Sequence, residues 1–259
     1  MLKDFIFKLI DWITFNKGFA RYIAGFKIYF PIKFSRFFNE NYEAENIEFV
    51  KEHIEPGATV LDIGGHIGLY AIIFSKLARK GGKVFSFEPT PYTRSIMEKV
   101  VKMNAHLNSA SISVQPFAIS DKVGVISFNV VPDIAGVANS MVAIEGAGSI
   151  DVETIDIDSF RNRNCLKIDF IKIDVEGAEY YALLGAKQTF MHDRPKATLG
   201  LHPWQIKSMN SSLDQIWDLL NSYEYHIQVG KKKLTKFEFC ANKELFDVTL
   251  IPNEVASSN

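Results

Sequence analysis

Residues 60–71 read Val60-Leu-Asp-Ile-Gly-Gly-His-Ile-Gly-Leu-Tyr-Ala71. An apolar run begins at Ala58, breaks at the glycine pair, and resumes as a helical pattern that extends through Lys80. This order predicts a strand, a tight turn and a helix. Gly64 and Gly65 let the backbone turn sharply and let a ligand approach the bare main chain. Because the helix directs its N-terminus at whatever binds there, the segment predicts a ligand site.

Two acidic residues and a third glycine complete this predicted site. Asp62 lies near the carboxyl end of the strand, where open α/β sheets bind their ligands. Residues 82–87 predict the next strand, and Glu88 directly follows it, placed to accept hydrogen bonds from both ribose hydroxyls of a nucleoside. Gly68 lets the helix pack close to its strand. The presence of Glu88 favours a nucleoside-cofactor site of the Rossmann kind over a plain turn with Asp62 as a helix cap.

The order of these residues favours one cofactor over another. A dinucleotide site has the pattern Gly-x-Gly-x-x-Gly, which accommodates a pyrophosphate. Here Asp62 precedes the glycines, and its carboxylate would repel a pyrophosphate but suits a cationic amino-acid group. S-adenosylmethionine carries a ribose diol, a sulfonium and an ammonium group, and no phosphate. The sequence thus predicts S-adenosylmethionine, with an NAD-type oxidoreductase as the disfavoured alternative.

Composition limits the class of protein. The chain has 259 residues, of which 47% are hydrophobic, and this suits one large α/β domain with an added segment, or at most two small domains. A net charge of −1 gives no indication of a nucleic-acid partner. Cys165 and Cys240 lack metal-ligand spacing and are expected to be reduced thiols of a cytoplasmic protein, although a bridge between them stays open. Residues 254–259 are predicted to be a disordered tail.

Residues 1–45 differ from the rest of the chain and are predicted to form a helical extension. Apolar residues recur at helical spacing from Leu2 to Ile13, but charges interrupt any run approaching the roughly 20 apolar residues that cross a bilayer. Residues 1–40 are cationic and rich in aromatic side chains. Two interpretations stay open: a helical cap on the core or the cofactor site, and peripheral contact with the anionic inner membrane surface. Co-sedimentation with liposomes, with and without residues 1–40, distinguishes them.

The middle and the end of the chain predict further elements of an α/β sheet. Residues 111–116 predict a third strand, after which the backbone of Phe117–Ile119 is expected beside the adenine ring. Residues 132–148 predict a loop of small residues that is suited to closing over the site as a lid. Residues 223–229 and 246–251 predict an antiparallel pair of strands, which is unlike the parallel sheets of dinucleotide dehydrogenases.

A second group of acidic residues follows a predicted buried strand, Phe170–Ile173. Asp174 lies at the carboxyl end of this strand and is expected to point into the ligand crevice. Gly177 is predicted to open the next helix, with Glu176 in its first turn and Glu179 three residues later on about the same face. The helix dipole stabilises acidic residues at its N-terminus, so ordinary capping explains Glu179 equally well.

His202 comes directly after another predicted strand, residues 197–201. Its ordinary pKa near neutrality suits proton transfer, while capping or core packing explains it equally well. Trp204 follows closely and is compatible with stacking on a sugar ring or with packing. His202 is therefore a candidate for the residue that moves a proton.

Several segments together resemble the FkbM family of methyltransferases. They are residues 60–71 as quoted above, Phe87-Glu88-Pro89, Ala118-Ile-Ser-Asp121, and Ile171-Lys-Ile-Asp-Val-Glu-Gly-Ala-Glu179 with the Leu183-Leu-Gly-Ala186 that follows. The resemblance covers about residues 46–225. It implies an α/β fold of the class I, Rossmann-like methyltransferase type, with seven strands, which we place at residues 46–253. It also implies S-adenosylmethionine as cofactor and, usually, a hydroxyl of a sugar, lipid-linked glycan or polyketide as acceptor.

The resemblance assigns roles to residues by position. It implies that Asp174, Glu176 and His202 face the site of methyl transfer. The family often has a glutamate where this chain has Gly200, so we expect one carboxylate of the active site to be missing. The predicted cofactor-binding residues are Asp62, Gly64, Gly65, His66, Gly68, Glu88, Pro89, Phe117, Ala118 and Asp174.

The predicted reaction is transfer of a methyl group to a hydroxyl of a sugar, glycolipid, glycan or related metabolite. Asp174 or His202 would take the hydroxyl proton, and Glu176 would orient the acceptor. No metal is predicted, although these three side chains suit a divalent ion. The alternative is a degenerate binding module, associated with a membrane or a partner, without turnover. The sequence predicts neither the individual acceptor nor the oligomeric state.

Overall fold

The structure is a computed structural model that describes residues 18–107, 109–130 and 148–254. Its strands are β1 (Phe19–Ile23), β2 (Phe26–Phe30), β3 (Thr59–Ile63), β4 (Lys83–Phe87), β5 (Ser111–Gln115), β6 (Ala118–Ile119), β7 (Gly124–Val130), β8 (Gly148–Ile155), β9 (Phe170–Ile173), β10 (Lys196–Leu201), β11 (Tyr225–Val229), β12 (Lys232–Lys233) and β13 (Phe246–Pro252). Its α-helices are α1 (Ile32–Ser35), α2 (Ala44–His53), α3 (Leu69–Ala78), α4 (Pro91–Asn104), α5 (Ile157–Arg163), α6 (Glu179–Leu184), α7 (Pro203–Ser208), α8 (Leu213–Ser222) and α9 (Lys236–Cys240).

The central sheet has the order β12-β11-β13-β10-β9-β3-β4-β5. Strands β10, β9, β3, β4 and β5 pair in parallel, whereas β13 is antiparallel to both of its neighbours. The predicted α/β class and its antiparallel C-terminal pair are thus confirmed. The sheet has one strand more than the predicted seven, because Lys232–Lys233 adds a two-residue edge strand.

Apolar side chains fill a core on each face of this sheet. Neighbouring residues of a strand point to opposite faces, so Val60 joins one core and Leu61 the other. Helices α3 and α4 and the N-terminal hairpin cover the first face, while α5, α6 and α8 cover the second. Burial on both faces leaves the ends of the parallel strands as the place where polar side chains can meet a ligand.

The N-terminal segment corrects the prediction of a helical extension. Strands β1 and β2 form an antiparallel hairpin joined by Ala24-Gly25, and both turn residues have positive φ. This turn matches the twist of a two-residue hairpin. Ile28 and Phe30 alternate with Lys27 and Tyr29, so the apolar side chains of β2 are buried in the core. Residues 19–30 therefore form a hairpin instead of the predicted helix. The helical pattern from Leu2 to Ile13 lies outside the described part of the chain and stays a prediction.

Other predictions fall partly outside the described residues. The proposed lid at 132–148 is described only at Gly148, which begins β8, and the tail is described only at Glu254. Within the described ranges no helix is long and apolar enough to cross a membrane. Peripheral membrane contact through residues 1–40 stays a prediction. The thiols of Cys165 and Cys240 are both free.

Candidate active site

A cavity of about 450 Å³ opens at the carboxyl ends of the parallel strands β3, β4 and β9. Its volume falls within the roughly 300–1,000 Å³ of small-molecule sites. Aromatic and polar side chains in its lining include Phe37, Phe38, Glu43, Asp62, Glu88, Lys172, Asp174, Glu176, His202 and Asp247. Every predicted site residue lines this cavity except Gly68. That glycine directly precedes α3 as its N-cap and lies against Met97 of α4.

The glycine turn after β3 passes directly against the end of β9. Gly64 has a φ of +78°, and a Cβ there would lie 1.8 Å from the carbonyl oxygen of Asp174. A Cβ on Gly65 would lie 2.1 Å from the Oγ atom of Ser86. Any larger residue at these two positions would displace the walls of the cavity, which explains why the turn is built from glycine.

Asp62 offers an unsatisfied buried carboxylate oxygen to the cavity. Its side chain is fully buried, and its Oδ2 atom accepts a hydrogen bond of 2.6 Å from Ser86 Oγ. Among the described residues, Oδ1 has no hydrogen-bond partner. Burial raises the pKa of Asp62, while Lys172 and Ser86 oppose the rise. A buried acceptor without a partner costs free energy, so this atom suits the ammonium group of a cofactor.

Glu88 follows β4 and lies on the same wall as the glycine turn. Its Oε1 atom accepts hydrogen bonds from the backbone N–H and the hydroxyl of Thr90. Burial raises the pKa of Glu88 to about 7, although Thr90, Arg94 and the backbone of His66 act to lower it. The carboxylate therefore titrates near neutrality and gains stability from any ligand that donates hydrogen bonds to its charged form.

The remaining predicted cofactor residues surround the same half of the cavity. His66 belongs to the glycine turn and Pro89 follows Glu88, while Phe117 and Ala118 approach from the third predicted strand and from β6. Their positions form a largely apolar slot beside two carboxylates. A flat base with a hydroxylated sugar and a cationic end fits this chemistry, and the residues thus fit S-adenosylmethionine.

Three side chains converge at the other half of the cavity. His202 Nε2 lies 3.7 Å from Asp174 Oδ1 and 3.5 Å from Glu176 Oε2. Lys172, within β9, has its Nζ atom 3.3 Å from Asp174 Oδ2. Because β9 and β10 are parallel, Asp174 and His202 follow the carboxyl ends of adjacent strands. The structure thus brings together all three residues that were predicted to face the site of methyl transfer.

The local structure around Glu176 differs from the prediction. Helix α6 begins at Glu179, so Glu176 precedes the helix and does not lie in its first turn. Glu176 has a φ of +52° and Gly177 a φ of +111°, and two left-handed residues in succession prevent a helix from starting there. A Cβ on Gly177 would lie 2.7 Å from Cβ of Gln205, so packing against α7 imposes this backbone.

Glu179, for which the sequence left capping and a functional role open, contacts His202. Its side chain is fully buried, and its Oε1 atom lies 2.8 Å from His202 Nδ1 and accepts a hydrogen bond from Gly177 N. A carboxylate at Nδ1 keeps the proton on that nitrogen and directs Nε2 towards Asp174 and Glu176. Capping of α6 explained this residue equally well in the sequence, because spacing along the chain does not reveal the contact with His202.

Burial and neighbouring charges set the protonation states of His202, Asp174 and Glu176. Burial lowers the pKa of His202, but the hydrogen bond with Glu179 and the charges of Glu179, Glu176 and Asp174 outweigh burial and raise the pKa to about 9. Burial raises the pKa of Asp174, but Lys172 and His202 hold it below its ordinary value. Burial, as the largest cause, raises the pKa of Glu176. In the free protein at neutral pH, His202 is therefore an imidazolium and Asp174 a carboxylate.

A carboxylate occupies the region that was expected to lack one. Gly200 pairs in register with Asp247 of the antiparallel strand β13. A Cβ at position 200 would lie 3.2 Å from Asp247 Oδ1 and equally far from Asp174 Oδ1. Asp247 could not be predicted from the sequence, because the register of an antiparallel partner 47 positions away follows from the fold alone.

The described residues contain no group of three or more His, Cys, Asp or Glu side chains arranged to hold a metal ion. Asp174, Glu176 and His202 instead contact one another as a hydrogen-bonding and ionic cluster with Lys172 and Glu179.

The strand order, the glycine turn and the acidic residue after the second parallel strand together define a class I methyltransferase fold. Residues 62–227 match the model of the Methyltransferase FkbM domain, and the chain belongs to the FkbM methyltransferase family. No protein of curated function matches the chain.

Two solved structures illustrate the similarity in fold. A methyltransferase FkbM from Methylobacillus flagellatus KT is 18% identical, with 80% of this chain and 51% of that chain covered and a TM-score of 0.48. This chain thus spans about half the length of that relative. A putative rRNA-methylase from Clostridium thermocellum is 9% identical, with 83% and 98% covered and a TM-score of 0.50. At these identities the structures show the fold alone.

Membership of the FkbM family confirms S-adenosylmethionine as the cofactor that the sequence predicted.

Binding of this cofactor should depend on pH through Glu88. The ionised carboxylate accepts hydrogen bonds from ribose hydroxyls more strongly than the neutral acid. Its pKa of about 7 means that the charged fraction falls as pH falls. We expect the affinity to weaken below pH 7, by at most about tenfold per pH unit.

Isothermal titration of S-adenosylmethionine between pH 6 and 8 measures this dependence. Glu88→Gln removes the titrating group while preserving the shape of the side chain, so it should bind more weakly at pH 8 and show a flat profile. NAD provides a control ligand that neither protein should bind. A profile that keeps its slope in Glu88→Gln would assign the pH dependence to another group.

Proposed function

We propose that this protein transfers a methyl group from S-adenosylmethionine to a hydroxyl oxygen of a sugar, glycolipid, glycan or related metabolite. The observation that carries the proposal is the buried pair of Glu179 and His202, whose Nε2 atom faces Asp174 and Glu176 inside the cofactor cavity. A histidine oriented by a buried carboxylate is a common arrangement for moving a proton.

The reaction requires alignment and removal of one proton. When bound, S-adenosylmethionine supplies a methyl group on a positively charged sulfur. A new C–O bond forms as the S–C bond breaks, and the hydroxyl proton leaves to a base of the protein. Two bases stay open: His202 Nε2, once it has lost its own proton, and Asp174, which is already ionised. Glu176 is placed to orient the hydroxyl by accepting a hydrogen bond.

The walls near this cluster support a carbohydrate-like acceptor. Phe37 and Phe38 line the cavity together with Leu245, and Leu245 and Phe37 are exposed at its surface. Aromatic rings present apolar faces on which the C–H groups of a sugar ring can pack, while the carboxylates nearby accept hydrogen bonds from hydroxyls. The N-terminal segment thereby contributes to the acceptor half of the cavity.

A methyl-transfer assay tests the proposal. The protein is incubated with methyl-labelled S-adenosylmethionine and a panel of glycosides, glycolipids and polyols, and both S-adenosylhomocysteine release and labelled product are measured. An O-methyl ether survives treatment with base, whereas a methyl ester is cleaved, so this step distinguishes a hydroxyl from a carboxyl acceptor. If the labelled product is instead an N-methylated amine, the acceptor group is an amine and not a hydroxyl. Cofactor binding without turnover across the panel would favour the degenerate binding module.

A further inference from the structure

Lys172 is a buried cation for which neither cofactor binding nor proton transfer accounts. Its side chain is only 8% exposed within β9, whose other residues, Phe170, Ile171 and Ile173, are apolar and fully buried. An ammonium group without a counter-charge is strongly disfavoured in such surroundings. The reason for a lysine in this strand therefore lies in the groups that its Nζ atom approaches.

The register of the sheet places Lys172 beside Asp62, the carboxylate that suits the ammonium group of the cofactor. The two residues are Cα partners on the neighbouring parallel strands β9 and β3. Two positions earlier on each strand, Phe170 and Val60 are also partners, and both lie in the core of the first face. Strand residues alternate between faces, and neighbouring strands lie about 4.8 Å apart. Lys172 and Asp62 therefore share a face of the sheet and lie close together.

The ammonium group of Lys172 also contacts the site of methyl transfer. Its Nζ atom donates a hydrogen bond to Asp174 Oδ2 at 3.3 Å and lies 5.2 Å from the centre of the Tyr70 ring. The Tyr70 hydroxyl donates to Glu43 Oε2 at 2.6 Å, which fixes the ring that the cation lies over. Because Lys172 occupies Oδ2 of Asp174, the other oxygen of this carboxylate is left for His202, at 3.7 Å.

Lys172 is a positive charge among several carboxylates. The titratable side chains that line the cavity around it are Tyr42, Glu43, Asp62, His66, Tyr70, Glu88, Asp174, Glu176, His202 and Asp247. Burial lowers the pKa of Lys172, but the charges of Asp174, Asp62 and Glu43 outweigh burial and raise it above its ordinary value. Lys172 in turn is the strongest influence that counters the effect of burial on the pKa of Asp62 and of Asp174. Lys172 is therefore an ammonium group at neutral pH.

We propose that Lys172 is a positioning residue shared by the two halves of the site, with its ammonium group as the counter-charge of both Asp62 and Asp174. It leaves the unsatisfied Oδ1 atom of Asp62 to the ammonium group of S-adenosylmethionine, and it directs Oδ1 of Asp174 towards His202. One lysine thus connects cofactor binding with the placement of a carboxylate at the site of methyl transfer. The part that concerns Asp174 rests on the proposed function.

Binding of S-adenosylhomocysteine tests the pairing with Asp62, because this product carries the same ammonium group and transfers no methyl group. Calorimetry is carried out between pH 6 and 8 in the Glu88→Gln background, whose affinity should not change with pH. Lys172→Met keeps the length of the side chain but removes its charge, so the pKa of Asp62 should rise. A carboxylate with a raised pKa loses its charge as pH falls. The affinity should therefore weaken towards pH 6, by at most about tenfold per pH unit.

Two further variants make this result specific. Asp62→Asn, added to Lys172→Met in the same background, should return the profile to a flat line at lower affinity. Lys236→Met, at an exposed ion pair with Asp218, is the matched control and should keep the flat profile. A flat profile in Lys172→Met would overturn the pairing with Asp62, since a loss of packing alone has no pH dependence. A slope that persists after Asp62→Asn would belong to another group and would overturn it as well.

Thermal unfolding at pH 8 tests both pairings, even if Lys172→Met is too unstable to bind a ligand. Removal of the buried cation leaves two carboxylates without their counter-charge, so the unfolding midpoint should fall. Asp62→Asn or Asp174→Asn, each combined with Lys172→Met, should raise the midpoint again, because each removes one of these charges. Asp218→Asn in the same background is the control and should recover nothing. Failure of either of the first two variants to recover stability would overturn the shared counter-charge.

Methyl transfer tests the consequence for Asp174. At saturating cofactor, Lys172→Met should lower the single-turnover rate by about 10- to 100-fold, because a displacement of about 1 Å at a reacting centre has an effect of this size. Lys236→Met should leave the rate unchanged. Full activity of folded Lys172→Met would overturn the role at Asp174. Absence of methyl transfer in the unaltered protein would instead count against the proposed function, and the binding and unfolding measurements would still decide the role of Lys172.

Discussion

We expect His202→Asn to lower kcat for methyl transfer by about 10²–10⁴-fold, the usual contribution of a general base, and to leave the affinity for S-adenosylmethionine nearly unchanged. The reason lies in the geometry of the cluster. His202 Nδ1 contacts Glu179, and Nε2 faces the cavity between Asp174 and Glu176. Asparagine keeps a polar side chain of similar reach at this position but has no nitrogen that can take a proton. The measurement is single-turnover methyl transfer at saturating cofactor.

The pH profile decides which of the two candidate bases acts. Because the pKa of His202 is raised to about 9, this residue loses its proton only as pH rises. A His202 base therefore predicts that kcat/KM increases from pH 7 towards pH 9 and then levels off. The pKa of Asp174 is held low, so an Asp174 base predicts no increase across that range. The positive charge of bound S-adenosylmethionine should lower the pKa of His202. The rise in rate that His202 causes should therefore lie at lower pH in the profile of kcat.

Two companion variants make this result specific. Glu179→Gln removes the charge that raises the pKa of His202. The increase of kcat/KM with pH should therefore occur at lower pH, and the plateau value of kcat should fall. His192→Asn is the matched control, because His192 is exposed and contacts Gln188 on the surface. If His202→Asn retained full turnover with an unchanged pH profile, His202 would not be the base and Asp174 would take the role.

The parts of the site that the sequence predicted share a physical origin. Asp62 lies near the carboxyl end of β3, and Glu88 and Asp174 directly follow β4 and β9. Parallel strands bring their carboxyl ends to one edge of the sheet. Local pattern and the tendency of open α/β sheets to bind ligands at the carboxyl ends of their strands were sufficient to place them together. The Asp-x-Glu-Gly segment added the identity of the family, and the match over residues 62–227 confirms it.

The parts that the sequence did not predict depend on tertiary contacts. The contact between Glu179 and His202 requires α6 to start two residues later than expected, and that start follows from the packing of Gly177 against Gln205. The position of Asp247 opposite Gly200 follows from antiparallel register, which no local spacing encodes. The N-terminal hairpin was missed because the helical spacing of Leu2 to Ile13 was extended over residues 1–45, whereas the apolar residues of β2 alternate with a period of two.

We expect Gly64→Ala to abolish detectable cofactor binding and Gly81→Ala to retain it, although both glycines have positive φ. Their φ values are +78° and +97°, so alanine at either position incurs the cost of a left-handed backbone, about 1–2 kcal/mol. Only at Gly64 does the new Cβ collide with the chain, at 1.8 Å from the carbonyl oxygen of Asp174, while a Cβ on Gly81 meets nothing within 4 Å. Comparison of the two variants thus distinguishes the effect of backbone strain from the effect of a collision between the new Cβ and Asp174.

The collision at Gly64 should damage both halves of the site at once. Relief of the overlap requires either the glycine turn or the end of β9 to move, and the carbonyl involved belongs to Asp174. Displacements of about 1 Å at a reacting centre can cost roughly 100-fold in rate, so methyl transfer should fall by at least that factor. Calorimetry measures cofactor binding, and circular dichroism with thermal unfolding verifies that each variant is folded. Equal cofactor affinity in folded Gly64→Ala and Gly81→Ala would show that the turn does not form the cofactor wall.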